Sequence, residues 1–159
     1  LSRKLEGAMA RLGAKTVTFD SLAPGDQLPI LVKWETEATI RRFSEDLSGP
    51  GASAETGDSE SGAPKEPASP GSIAPWGPML AAYVAELLEK GFPIPGIMAQ
   101  GSRLALKLLQ PVNPEDTLAI SGTVVDKREE DGWRLVDCRI TVESKEGATV
   151  AVAEATVCL

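Results

Sequence analysis

Along residues 76–90 the chain reads WGPMLAAYVAELLEK, with Met79, Leu80, Tyr83, Val84, Leu87 and Leu88 spread over most of a helical circumference. A surface helix shows one apolar stripe, so this pattern predicts a central helix wrapped by other elements. Its entry is crowded, with Pro75, Gly77 and Pro78 around Trp76, and its end carries a basic last turn at Lys90 followed by Gly91. Pro78 suits the first turn, where the missing N–H costs no helical hydrogen bond.

Downstream the period changes to two. SRLALKLLQPV alternates Leu104, Leu106 and Leu108 against Arg103, Ala105 and Lys107, and DTLAISGTVVDKR follows a turn at Asn113 to Asp116. WRLVDCRITVES sets Val136, Cys138, Ile140 and Val142 against Asp137, Arg139 and Thr141; Lys145 to Gly147 then turns into TVAVAEATVCL. These are long antiparallel strands with one buried face. A curved sheet around one long helix satisfies both patterns, an α+β arrangement.

Upstream the signals are shorter. VTFDSLAPGDQLPILVKWETE reads as a short strand, a turn at Pro24 to Asp26, and a second strand in which Ile30, Val32 and Trp34 alternate with Leu31 and Lys33. In TEATIRRFSEDL, Thr36 is the expected N-cap of a helix carrying Ala38, Ile40, Phe43 and Leu47. At the start, Leu1, Leu5, Met9 and Leu12 share one face, which predicts an amphipathic helix over residues 1–14 with Gly13 as its stop. Residues 49–72 contain no large apolar side chain, so burial cannot repay their ordering entropy. They are expected to be a flexible insertion within a single domain over residues 15–159.

Composition narrows the function. With 16 Lys and Arg against 23 Asp and Glu, the net charge of −7 argues against a nucleic-acid groove or an anionic membrane surface. The longest apolar run is too short to span a bilayer, and the chain is read as a soluble, cytoplasmic protein. It contains no histidine, which removes the commonest general base, the His-dependent triads and most zinc sites; no metal and no other cofactor is expected. Cys138 and Cys158 sit in strand-like runs and read as small core residues.

FDSLAPGDQLP, TEATIRRFSEDLSG, IAPWGPMLAAYVAELL, LALKLLQPVNPEDTLAISGTVVDKR and GATVAVAEATVCL, in that order and spacing, resemble the MaoC-like dehydratases and hydratases, proteins of the hot-dog fold that act on acyl thioesters. The resemblance covers most of residues 17–158, and the IAP entry to the central helix is similar to the diverged N-terminal-type members. Catalytic members carry an Asp and a His in a pattern like S-G-D-x-N-P-x-H before that helix. Here Ser48 and Gly49 match, Pro50 stands at the Asp position, and no His follows. Hydration by the family's usual mechanism is therefore not expected of this chain.

The resemblance also implies a substrate side. A family glycine at the entry of the central helix gives its N–H to the thioester carbonyl, where donor and helix dipole stabilise an enolate-like transition state; Gly77 is the matching position, with Trp76 and Pro75 beside it at the mouth of an acyl tunnel. A tight helix entry between Trp76 and Pro78 is the plain alternative for Gly77, and a core or dimer-interface position is the equal alternative for Trp76. Glu45 and Asp46 are candidate general bases of a stand-alone thioesterase or atypical hydratase, against the simpler reading of a solvated helix face. Asp58, Glu60 and Glu66 lie in the insertion, Asp20 and Asp26 belong to turns, and Glu154 points outward from its strand. Hot-dog domains join sheets side by side, so the expected partner is a catalytic MaoC-type subunit in a heterodimer or heterotetramer, or a second copy in a homodimer. The expected ligand is acyl-CoA, since an acidic chain repels an acidic carrier protein.

Overall fold

The computed structural model describes residues 11–48 and 76–159, with the side chains of residues 44–48 outside that description. Five strands form one antiparallel sheet in the order β1-β3-β4-β5-β2: β1 (Leu31–Glu35), β2 (Arg103–Leu108), β3 (Asp116–Glu130), β4 (Trp133–Ser144) and β5 (Thr149–Cys158). Three helices accompany it: α1 (Glu37–Ser48), α2 (Trp76–Gly91) and the single turn α3 (Ile94–Ile97).

The long strands follow their alternation. Leu118, Ile120 and Val124 of β3 and Val136, Cys138, Ile140 and Val142 of β4 are buried on one face. On β5 the same face is built of Ala151, Ala153, Ala155 and Val157, in register with Val142, Ile140, Cys138 and Val136. Small residues facing large ones hollow the sheet, and α2 lies against that face with Trp76, Met79, Leu80, Val84, Leu87 and Leu88 buried. The sheet covers α2 from one side, leaving Pro78, Ala82 and Glu89 exposed and Tyr83 half-buried, a wide stripe rather than a full circumference. Glu154 points outward, as its alternation requires.

Asp131 and Gly132 join β3 to β4 at φ 51° and 82°, between the paired residues Glu130 and Trp133. Two left-handed residues match the right-handed twist of the strands, so an Asp-Gly pair closes this hairpin at two residues.

Three upstream segments depart from expectation or fall outside the description. Residues 17–20 do not form a strand: Phe19–Ser21 is a 3-10 turn in which the Thr18 hydroxyl accepts from the Ser21 N–H, and the Ser21 hydroxyl accepts from the Thr18 N–H. This reciprocal capping satisfies backbone groups that a strand would have to pair with a neighbour. Residues 1–10 of the expected N-terminal helix lie outside the described residues; at its expected end, Arg11 forms an isolated parallel bridge to Gln27. The insertion at 49–72 is likewise outside them. The turn and cap assignments stand, with Asp26 accepting from the Ala23 N–H at 2.8 Å and Thr36 accepting from the Thr39 N–H at 3.1 Å.

Strand β1 has an unusual face. Leu31, Lys33 and Glu35 pair with Ile120, Leu118 and Asp116, and so share the pleat parity that turns toward α2. Ile30, Val32 and Trp34, the more apolar set, point away and remain 53%, 60% and 66% exposed. The parity follows from the observed register, since residues directly opposed across the ladder share a face. A polar pair is thereby carried into the layer between sheet and helix.

Burial of Cys138 has a pH consequence. Its thiol is pushed up to about 12, from an ordinary 9.0, by desolvation. The folded state keeps this proton over a range in which the unfolded chain loses it, so stability is expected to hold up to about pH 9 and to fall as pH rises toward 12. Urea midpoints measured between neutral and alkaline pH should decline more steeply for the native chain than for Cys138→Ala. Equal slopes would show that the thiol is not sequestered.

Candidate functional site

Helix α2 brings its first turn next to the edge of the sheet. A Cβ built on Gly77 lies 3.8 Å from the Leu108 side chain at the end of β2, an ordinary contact. The free side of β2 thus runs beside the helix entry, since β2 pairs only with β5 among the described strands. Sixteen aligned peptide units point their positive end at this place. Gly77 is half-buried, whereas Trp76 is only 3% exposed and belongs to the core. In this arrangement Trp76 braces the entry from within rather than standing open at a mouth. Pro75 lies outside the described residues.

Because the space around Gly77 admits a methyl group, Gly77→Ala is expected to fold normally and to gain up to about 1 kcal/mol from helix propensity. A thermal melt reads this directly. A marked fall in Tm would mean that the glycine is needed for backbone geometry rather than for room at the entry.

Glu45 and Asp46 lie on α1, with side chains beyond the described set; Asp58, Glu60 and Glu66 are outside it altogether. The acid that the fold brings against α2 is a different one. Glu35, the last residue of β1, is completely buried, and neither carboxyl oxygen has a hydrogen-bond partner. Such groups are rare, because burying an unsatisfied polar group costs about 1–3 kcal/mol.

Its surroundings come from two elements. Tyr83, near the middle of α2, turns its hydroxyl toward Glu35 without reaching the geometry of a formed hydrogen bond. Burial, then the Glu35 carboxyl, then the charge of Glu86 hold that phenol well above its usual range. Lys33, two residues before Glu35 on the same face, is 2.6 Å from a Glu86 oxygen and sits 5.0 Å above the Tyr83 ring. Lys33 is therefore already engaged by Glu86. Across the ladder from Glu35, Asp116 accepts the Thr117 N–H at 2.8 Å. Among the described residues no group of three or more His, Cys, Asp or Glu has the proximity to hold a metal.

Sequence reasoning passed over Glu35. A usable signal was present: the i, i+2, i+4 set Leu31, Lys33 and Glu35 is the inner set of β1, legible once β3 is known to have Leu118 and Ile120 inward.

Solved structures resemble this arrangement. A monoamine oxidase regulatory protein from Archaeoglobus superposes with a TM-score of 0.58 at 20% identity, covering 95% of this chain and 96% of that one. The R-hydratase PhaJ1 from Pseudomonas aeruginosa gives 0.58 at 16% identity over 87% and 83% of the two chains. A MaoC-like dehydratase from Rhodospirillum rubrum gives 0.57 at 19% identity over 88% and 94%. No protein-family model matches the chain, and no curated protein matches it in sequence. A central helix held in a five-stranded antiparallel sheet with these relatives defines the class: the chain has the hot-dog fold. Within that class, its fold is the one seen in MaoC-like dehydratases and R-hydratases.

Proposed function

We propose that this chain is an acyl-thioester-binding hot-dog subunit, with acyl-CoA as its ligand, which completes the substrate tunnel of a catalytic MaoC-type partner and does not itself hydrate the substrate. The observation that carries the reading is the pairing of Gly77, at the N-terminus of α2, with the open edge of β2 through Leu108. A second subunit adding its sheet to that edge lies beside the helix entry, where a thioester carbonyl meets the helix dipole. The chain supplies no histidine, and Pro50 occupies the position of the family's Asp. The acid–base pair therefore has to come from the neighbour. Its net charge of −7 favours coenzyme A over an acidic carrier protein. Such a subunit works in the cytoplasm with its partner.

Co-expression with a hot-dog protein that carries the Asp and His tests this reading. The expected result is a defined heteromer that hydrates enoyl-CoA at least 100-fold faster than either chain alone, an activity lost when the partner's Asp or His is disabled. A stable homodimer of this chain that turns over acyl-CoA unaided, and is inactivated by Glu45→Gln or Asp46→Asn, would overturn it in favour of a self-sufficient thioesterase or hydratase.

A further inference from the structure

We infer that the first ten residues of the chain dock their apolar stripe, Leu1, Leu5 and Met9, into a groove at the C-terminal end of α2 and clasp that end of the helix. The groove has a volume of about 510 Å³ and is walled by Val17, Phe19, Pro93, Pro95, Ala99 and Leu159. It lies at the opposite end of the central helix from Gly77, about 21 Å along the axis at the rise of an α-helix. The inference is therefore independent of the acyl-thioester reading.

The groove suits aliphatic side chains. Arg134 is the one charged residue among those described as lining it, and its guanidinium already meets Glu129 at 3.2 Å. The Thr18 hydroxyl at its border accepts from the Ser21 N–H. Both polar side chains are thus engaged within the chain, and what they leave is an open apolar surface of the kind that marks an interaction. Residues 1–10 offer a matching piece, with Leu1, Leu5 and Met9 on one face at helical spacing. Ten residues are too few to hold a helix in water by themselves, so such a stripe needs a surface to lie on. Residues 49–75, by contrast, carry Ile73 as their one large apolar side chain.

The place where the segment joins the described chain puts the groove within reach. Arg11 bridges Gln27, and Leu12 packs against the core. The Ala14 N–H donates to the Lys90 carbonyl at 3.1 Å, and the Val17 N–H donates to the Gly13 carbonyl at 3.1 Å. The segment therefore starts beside the last turn of α2, two residues from Gly13 and one tight turn from the Val17 wall. Those two residues cover about 7 Å, whereas ten residues span about 15 Å as a helix and about 33 Å when extended.

Hydrogen–deuterium exchange of the full chain against a Leu5→Asp, Met9→Asp double variant tests the clasp. The amides of Val17 and of Gly96 to Ala99, each in a short-range hydrogen bond at the groove, are expected to exchange roughly tenfold faster in the variant, while those of β3 and β4 keep their rates. Arg3→Ser, on the opposite side of the stripe, should change nothing. Deletion of residues 1–10 should reproduce the double variant and lower Tm; should the deletion not fold, the double variant decides. Unchanged exchange at the groove in the double variant, or faster exchange at another surface such as the outer face of β1 instead, would overturn the inference. Groove protection that fades on dilution of the native chain would overturn it too, by putting a second copy in the groove.

Discussion

Phe92→Ala is expected to lower the folding free energy by about 3–5 kcal/mol, the range for emptying a fully buried aromatic site. Phe92 follows α2 directly, is 0% exposed and is among the largest fully buried side chains. Its N–H donates to the Leu88 carbonyl at 2.7 Å, which fixes the ring at the end of the helix. Just before it, a Cβ on Gly91 would make ordinary contact with Leu28 at 3.4 Å, so this end of α2 adjoins the segment leading into β1. A domain of this size has about 5–15 kcal/mol in total, so the variant should lose a large share of its stability. Urea unfolding reads the effect as a lower midpoint with an unchanged slope, and Phe92→Leu should recover most of it. A midpoint that barely moves would mean that α2 ends without support from this ring.

Gly96→Ala is expected to be the most damaging single-methyl change in the described part of the chain. A Cβ there would lie 2.4 Å from the Cys158 carbonyl oxygen and 3.1 Å from the Leu159 side chain. The first contact is with backbone at the end of β5, which no rotamer change can relieve. The Ser102 hydroxyl ties the same place together, donating to the Gly96 carbonyl at 2.7 Å and accepting from the Cys158 N–H at 3.2 Å. Moving α3 away from β5 to admit the methyl group breaks that link as well. Overpacking costs about 1–3 kcal/mol, and the lost hydrogen bonds add about 1 kcal/mol each. A fall in Tm should therefore accompany Gly96→Ala, whereas Gly77→Ala, which meets only an ordinary contact with Leu108, should leave Tm unchanged or raised. The same Tm for Gly96→Ala and the native chain would show that α3 is free to shift.

The expectations that survived rest on runs long enough for their periodicity to name one structure. Val136, Cys138, Ile140 and Val142 have only one apolar side, and burial follows it. Thr36 found its capping role because an N-cap is a local bond between a hydroxyl and an N–H three residues on. The short strand expected around Phe19 failed for a local reason too: Thr18 and Ser21 offer a reciprocal cap that competes with pairing. Near the candidate site, the entry of α2 at Trp76 and Gly77 was legible and a core Trp76 was one of two open readings, while the position of Glu35 was not foreseen.

The sequence by itself determined the apolar run of α2, the one-sided strands β3 to β5 and a chemistry without histidine. Each is written into neighbouring residues. Only the tertiary structure decided which side of β1 faces α2. Alternation of period two defines two faces without saying which is inward when Ile30, Val32 and Trp34 oppose Leu31, Lys33 and Glu35. Register against Leu118 and Ile120 of β3, some 85 residues away in sequence, settles it, because directly opposed residues share a face and a one-residue slip would turn Ile30, Val32 and Trp34 inward instead. The same register delivers Glu35, buried and without a hydrogen-bond partner, to the side of Tyr83.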